Sequence, residues 1–296
     1  MITNDPSCAG NPNALRLVAT NTAPVRGTGK RPVDPRLYQI AILAALLGSG
    51  VLLRDFALHP SQVLLAFGAG LAAQTWWLHR LKIPHAGYLS AVITCFGLCL
   101  LLRADNLWVH PLAASLAISS KFMLRVAGKH VWNPGNFGVV LSITLLPGAW
   151  ASPGQWGNDL AYAGWFAVLG FLVTSKTRRL DMSGLFLGAY LSLLGVRVLL
   201  LGQNWAVLLH QMQSGALLLF AFFMISDPMT IPNHPRARVA YAVLVATLAM
   251  AWQFGLYRPN ALLWALFLAS PLVPLFDHLC RGERFNWHRP HSGRPG

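Results

Sequence analysis

Apolar runs of helical length recur along this chain from Leu37 to Cys280, and they constrain its fold more than any other feature. A helix needs roughly 20 apolar residues to cross a bilayer, and fewer when it is interrupted. On that criterion the sequence predicts an all-α polytopic membrane protein with about ten transmembrane helices, at 37–53, 61–78, 87–102, 107–120, 137–149, 159–175, 183–202, 206–225, 239–257 and 261–279. Charged residues make up 11% of the chain, against about a quarter in soluble domains, which excludes an ordinary soluble globule.

The two ends of the chain differ in composition from this apolar region. Residues 1–36 are polar and basic and contain no apolar run, so we expect a disordered cytoplasmic tail rather than a cleaved signal. Residues 37–280 are predicted to form the transmembrane domain. Residues 281–296 are predicted to form a second cytoplasmic tail.

The basic residues lie mainly on one side of this predicted topology. If the N-terminus is cytoplasmic, 19 of the 23 Lys and Arg residues fall in the tails and the cytoplasmic loops, whereas Arg54, Arg103 and Arg258 fall on the other side. The positive-inside rule therefore predicts that both termini are cytoplasmic. The same asymmetry accounts for the net charge of +14, so we expect the lipid bilayer, and not nucleic acid, as the partner.

The segment 121–138 contains three cations at a spacing of four residues. On a continuous helix, Lys121, Arg125 and Lys129 would form one cationic stripe, which suits an anionic ligand or the anionic part of a cofactor. The alternative is that they are ordinary cytoplasmic signals of topology.

A helix break, Asn133-Pro134-Gly135-Asn136, follows the three cations directly. A helix that starts at Phe137 would have Asn136 as its N-cap and would present free backbone amides to an anion. The neighbouring spans are too short to cross as straight helices, and short interrupted spans often surround a site in transporter-like folds. We therefore treat Asn133 and Asn136 as candidate binding residues; the alternative is a plain turn.

A second interrupted segment, 223–238, partly repeats the first. Phe122-Met123 recurs as Phe223-Met224, and each segment has a Pro/Asn break before a new span. Asp227 and Thr230 are the candidate binding residues here. The echo is weak evidence for an internal repeat. Its spacing of four spans implies parallel copies, whereas two five-helix halves would be inverted, and the sequence leaves both open.

Arg197 is the one cation deep within a predicted span, where an unpaired charge is costly. We expect Gln211, Gln213 or a ligand phosphate as its partner, unless it extends outward from the end of its helix. Two cysteines, Cys95 and Cys99, lie four residues apart and are expected to pack rather than to bind metal, so no metal site is predicted.

The stretches SKFMLRVAGKHVWNPGNFG and FMISDPMT resemble the D subunit of the Rnf electron-transport complex and the related B subunit of the sodium-translocating NADH:quinone oxidoreductase. The stretches ASPGQWG and SPLVPLFD, at 151–157 and 270–277, are similar to those of shorter stand-alone Rnf D-type proteins of some enediyne biosynthesis clusters. The resemblance covers roughly residues 37–280. It implies ten helices in two inverted halves, a location in the bacterial inner membrane, other redox or membrane subunits as partners, and a flavin.

Respiratory members of that family attach FMN to a Thr in a Ser-Gly-Ala-Thr motif. The corresponding loop here reads WASPGQWGND, at 150–159, and contains no Thr, and the motif occurs nowhere in the chain. The resemblance therefore implies a non-covalent flavin, FMN or riboflavin, or a quinone.

Two hypotheses follow from the sequence. In the first, the chain is a membrane redox subunit that holds a flavin or quinone and relays electrons with partner proteins. In the second, it is a small-solute channel or transporter, because the fold of the family is similar to that of urea and ammonium channels. No arrangement of a nucleophile and a base suggests a hydrolase.

Overall fold

The computed structural model describes residues 34–83, 87–157, 160–176, 179–283 and 285. The helices in this part of the chain are α1 Pro35–Leu53, α2 Pro60–Arg80, α3 Tyr88–Leu101, α4 Val109–Met123, α5 Pro134–Leu145, α6 Leu160–Lys176, α7 Leu180–Leu200, α8 Ala206–Met212, α9 Gly215–Leu219, α10 Pro235–Met250, α11 Ala261–Ala269 and α12 Val273–Leu279. The π-helical turns Phe220–Met224 and Ala251–Gly255 extend α9 and α10, and 3₁₀ turns lie at Pro153–Trp156 and Ser270–Leu272.

Helical segments overlap all ten predicted spans. Among the described residues, four segments are long and apolar enough to cross a membrane by length and composition: Pro35–Leu53, Leu180–Leu200, Pro235–Gly255 and Ala261–Leu279. A fifth would be the pair α8 and extended α9, which is bent by 48° at its break. The chain is thus a mainly helical, multi-pass membrane protein, and the number of ten crossings stays a prediction. Most of the predicted tails, 1–33 and 286–296, lies outside the described residues.

Proline sets the start of several of these helices. Pro occupies the first helical turn after the N-cap residues Asp34, His59, Asn133 and His234. At that position its missing N–H costs nothing, because the first amides of a helix have no partner within the helix, and its fixed φ is already helical. These four Pro residues therefore begin helices.

The helices pack in a pattern that recurs along the chain. The most extensive contacts join α2 to α4, and α7 to α10. In addition, α1 packs on α3 and α6 packs on α9, while α4 contacts α5 and α10 contacts α11. The buried apolar side chains between them form one core that extends from α1 to α12.

Two short antiparallel pairs of strands complete the fold. Strand β1, Leu102–Ala104, pairs with β4, Ala149–Ala151. Strand β2, Arg125–Val126, pairs with β3, Lys129–His130, and this hairpin lies between α4 and α5.

The β2–β3 hairpin contradicts the predicted cationic stripe. Helix α4 ends at Met123, so Lys121 lies on a helix while Arg125 and Lys129 lie on two strands. The loop residues Ala127 and Gly128 have φ of 48° and 75°, as a two-residue hairpin turn requires. Glycine at the second loop position makes this tight reversal accessible, and a continuing helix would need negative φ at both residues.

Candidate functional site

The two interrupted segments meet at one cavity, which we call the first cavity. It holds about 1040 Å³ of empty space, with its open mouth included. Its described lining is Arg36, Gln39, Leu43, Ser90, Ile93, Thr94, Gly97, Leu100, Leu101, His130, Asn133, Pro134, Gly135, Val173, Leu219, Phe223, Met224, Ser226, Asp227, Pro228 and Met229. The sequence indicates both segments as candidates but gives no basis for placing them together.

Asn133 connects the two segments at this cavity. Its Oδ1 accepts a hydrogen bond from the backbone N–H of Asn136 at 3.1 Å, which makes Asn133 the N-cap of α5. Its Nδ2 donates to Oδ2 of Asp227 at 3.3 Å and to the carbonyl of Met224 at 3.4 Å. The side chain therefore fixes the start of α5 and the loop after α9 relative to each other.

The sequence predicts Asn136 as this N-cap, and that prediction is wrong. Helix α5 begins three residues earlier, because Pro134 takes the first helical position directly after the cap. The side chain of Asn136 is fully buried, and its Nδ2 donates to the carbonyl of Leu263 at 3.2 Å. It thus joins α5 to α11 and is not part of the described lining of the first cavity.

The loop after α9 presents Asp227 to the first cavity. Oδ1 of Asp227 accepts a hydrogen bond from the backbone N–H of Met229 at 3.0 Å. The backbone carbonyl of Asp227 accepts hydrogen bonds from the backbone N–H and the hydroxyl of Thr230. Burial raises the pKa of the Asp227 carboxyl, and the bond from Met229 and the charges of Lys121 and Lys129 oppose that rise. Thr230 is buried and supports the turn, but it is absent from the described lining.

Two of the three predicted cations lie close to this loop. Nζ of Lys129 lies 2.7 Å from Oδ2 of Asp277 and also donates to the carbonyl of Ile231 and to Oδ1 of Asn233. It therefore ties the hairpin to the second interrupted segment and to α12. Lys121 is buried in α4, and its Nζ lies 3.5 Å from Oε1 of Gln74. Neither lysine belongs to the described lining of the first cavity.

Arg125 and Arg197 lie elsewhere. Arg125 is exposed, and its guanidinium donates to the carbonyl of Gly128 within the hairpin. Arg197, in the last turn of α7, donates to Oε1 of Gln203 at 2.8 Å and lies 4.1 Å from the ring centre of Phe254. The prediction that Gln211 or Gln213 is the partner of Arg197 is thus wrong. The chain turns back just after α7 and brings Gln203 within hydrogen-bonding distance of Arg197.

The first cavity also contains polar residues that sequence reasoning missed. They are Arg36, Gln39, Ser90, Thr94, His130 and Ser226. Ser90, Thr94 and Gly97 occupy one face of α3 at spacings of four and three residues, and a Cβ at Gly97 would meet no atom within 4 Å. This face of small and polar residues within an apolar span was the sequence signal that could have indicated a site here. Arg36 forms an ion pair with Asp34 at 2.6 Å.

A second cavity includes the loop that follows the π-helical end of α10. It holds about 990 Å³ of empty space, with its open mouth included. Its described lining is Leu101, Gly157, Tyr190, Gln211, Ser214, Ala216, Leu217, Leu219, Phe220, Met224, Gln253, Arg258, Pro259, Asn260, Ala261, Leu262 and Leu263. The hydroxyl of Tyr190 donates to Oε1 of Gln253 at 3.0 Å. Amide and hydroxyl groups supply most of its polar lining, and Arg258 is the single cation among these residues.

Comparison with known proteins agrees with the resemblance inferred from the motifs. Residues 144–286 match the model of the NQR2, RnfD, RnfE family. The D subunit of the ion-translocating oxidoreductase complex of Aeromonas hydrophila is 32% identical over 155 residues, which are 51% of this chain and 42% of that protein. Its counterpart from Actinobacillus pleuropneumoniae serotype 5b is 28% identical over 177 residues, 59% of this chain and 49% of that protein. The chain thus spans less than half the length of these relatives.

Proposed function

From the match of residues 144–286 to the NQR2, RnfD, RnfE family, we propose that this chain is an integral membrane electron-transport subunit of the Rnf D type. It holds a flavin or a quinone without a covalent bond and relays electrons with partner proteins. It lies in the bacterial inner membrane with both termini in the cytoplasm. The observation that carries the proposal is the first cavity, which both interrupted segments build together.

The lining of the first cavity suits a planar ring with a polar edge. Leu43, Ile93 and Phe223 provide apolar walls, while Asn133 and Asp227 provide hydrogen-bonding groups at the break between helices. Such cofactor sites combine a mainly apolar surface with a few placed polar groups. A partly buried carboxyl with a raised pKa also suits a ring that takes up protons together with electrons.

The charges of the lining favour a ring without a phosphate. Arg36 is the one Lys or Arg residue among the described lining residues, and it is already paired with Asp34. Lys121 and Lys129, which the sequence suggests as holders of an anionic group, are absent from this lining: Nζ of Lys121 lies near Gln74, and Nζ of Lys129 donates to the carbonyl of Ile231. Riboflavin or a quinone therefore fits this lining better than FMN does.

A flavin or quinone in this cavity would supply the redox chemistry, and the protein would position it and adjust its potential. Asn133 and Asp227 would orient the polar edge of the ring, because both are held by hydrogen bonds to backbone groups.

The packing pattern supports ten helices in two inverted halves as part of this proposal. With α8 and α9 counted as one span and α11 and α12 as another, the second and fourth helices of each half pack together, as α2 on α4 and α7 on α10. Halves with an odd number of spans enter the membrane in opposite directions. In this arrangement the break before α5 would correspond to the break before α11, and the motif echo at 121–138 and 223–238 would not be the repeat.

Absorption and fluorescence spectra of the detergent-purified protein, before and after acid precipitation, test the proposal. We expect a flavin spectrum, with the flavin released to the supernatant, or a quinone in an organic extract. Flavin retained in the precipitate would contradict non-covalent binding. A folded protein with neither cofactor would contradict the redox proposal and favour a solute channel.

Two matched substitutions locate the site. Asp227→Asn should lower the amount of cofactor per protein, because it removes the charge at the polar edge while keeping the size of the side chain. Arg197→Gln should leave the cofactor content unchanged, because Arg197 is bonded to Gln203 and lies outside the first cavity. Equal loss in the two variants would contradict the assignment to this cavity.

A further inference from the structure

The first and second cavities share part of their walls. Leu101, Leu219 and Met224 line both of them, and all three are apolar. Their exposed fractions are 4%, 2% and 6%, so each is packed against its neighbours and not loosely placed in open space. At this point a single layer of side chains separates the two cavities. We call these three residues the septum.

Loop residues that line the two cavities lie on either side of α10 along the chain. Met229, which lines the first cavity, lies six residues before the start of α10 at Pro235, whereas Arg258 and Asn260 of the second cavity follow the π-helical end of that helix. The extended helix Pro235–Gly255 has 21 residues and rises roughly 30 Å, about the thickness of a bilayer core. The loops that contribute to the two cavities are therefore separated along the chain by one helix long enough to span the membrane.

A π-helical turn carries part of the septum. Leu219 precedes the turn Phe220–Met224, and the N–H of Ile225 bonds to the carbonyl of Phe220, five residues back. In an α-helix, residues five positions apart face different directions, because each residue turns the helix by about 100°. The wider turn brings Leu219 and Met224 closer to one side. The local distortion of α9 thus places both residues between the cavities.

We propose that Leu101, Leu219 and Met224 form a hydrophobic seal that closes a latent path for water and small uncharged polar solutes between the two cavities. Uncharged amide and hydroxyl groups make up most of the polar lining on either side, so each cavity admits water. Apolar constrictions of this kind block a path by excluding water from it. The two cavities can therefore extend toward each other from opposite sides of the membrane, because the seal prevents water from passing between them.

The size of the septum residues should therefore decide whether the path conducts. Replacing Leu by Ala removes most of the side chain and leaves a void, and a void next to polar, wet cavities can hold water. Because the septum is one side chain thick, two such substitutions should suffice to connect the cavities.

Osmotic water permeability of proteoliposomes, measured by stopped-flow light scattering, tests the seal. The variant Leu101→Ala/Leu219→Ala should raise the permeability per reconstituted protein several-fold above that of the unsubstituted chain. The control Leu100→Ala/Leu217→Ala removes the same groups from equally buried positions that line one cavity each, and it should leave the permeability unchanged. No increase in the septum variant, or an equal increase in the control, would overturn the proposal.

Two further measurements keep the test decisive. If the double variant does not insert, Met224→Ala alone should give a smaller rise, and an unchanged permeability would again contradict the seal. Spectra of the same samples report cofactor content independently. A septum that leaks in a protein without flavin or quinone would support the seal while contradicting the redox proposal.

Discussion

Asn133 performs two structural tasks with one amide, because its oxygen caps α5 and its nitrogen contacts Asp227. Asn133→Ser keeps a capping oxygen but removes the donor, so thermal stability should be retained while cofactor content falls. Asn133→Ala removes both groups and should in addition destabilise the protein by about 1 kcal/mol. Thermal unfolding and absorption spectra of the two variants check this. Equal behaviour of Ser and Ala would contradict the division of roles.

The lysine of the hairpin and the arginine beside it should differ in their effect on stability. Lys129→Met removes an ion pair with Asp277 and a bond to Ile231 in a buried setting, and should destabilise by about 2 kcal/mol. Arg125→Met should change stability little, because Arg125 is exposed and its guanidinium donates to the carbonyl of Gly128 in the same turn. Thermal unfolding in detergent measures both. Similar losses would show that the two positions are equivalent, as a cationic stripe requires.

At the residue scale, the sequence identified useful side chains but not their partners. Asn133 and Asp227 could be singled out because each adjoins a break in an apolar pattern. Their mutual contact could not be foreseen, because it joins residues 94 positions apart. The partner of Lys129 was hidden for the same reason, since Asp277 lies 148 positions away.

At the element scale, hydropathy and Pro residues locate most helices, but a short hairpin escapes such patterns. Strands β2 and β3 contain two residues each, so no alternation of polar and apolar residues could form. The three cations at 121, 125 and 129 have the spacing of one helix face, and this spacing predicted a helix instead of a hairpin. Gly128 was the physical signal against a helix, because glycine readily takes the positive φ that the turn uses.

Because both loop residues of the hairpin have positive φ, exchanging Gly for Ala and Ala for Gly there should change the stability of the protein in opposite directions. Gly128→Ala introduces a Cβ at a φ of 75° and should destabilise the protein by about 1 kcal/mol. Ala127→Gly relieves the same conflict at a φ of 48° and should be neutral or slightly stabilising. Thermal unfolding of the two variants separates these effects. Equal destabilisation by both would contradict a turn with positive φ at each residue.

At the scale of the whole molecule, the predicted spans coincide with helical segments, whereas both cavities depend on packing between segments far apart in the chain. The first cavity combines residues of α1, α3, the hairpin, α5 and the loop after α9. No local pattern specifies which helix faces meet. The second cavity had no counterpart among the predicted sites, because its polar residues come from separate parts of the chain and form no motif.

Ten crossings and four or five crossings place the connecting loops differently, so labelling of single cysteines from each side of the membrane distinguishes them. In the ten-span topology, Lys82→Cys and Ala127→Cys should react from the cytoplasmic side, and Asp105→Cys and Arg258→Cys from the outer side. The background should lack the native Cys8 and Cys280, whereas Cys95 and Cys99 are buried. The alternation follows from the positive-inside asymmetry and from short helices that cross together with packed neighbours. Reaction of Lys82→Cys and Asp105→Cys from the same side would mean that α3 does not cross, and the inverted five-helix halves would then be wrong.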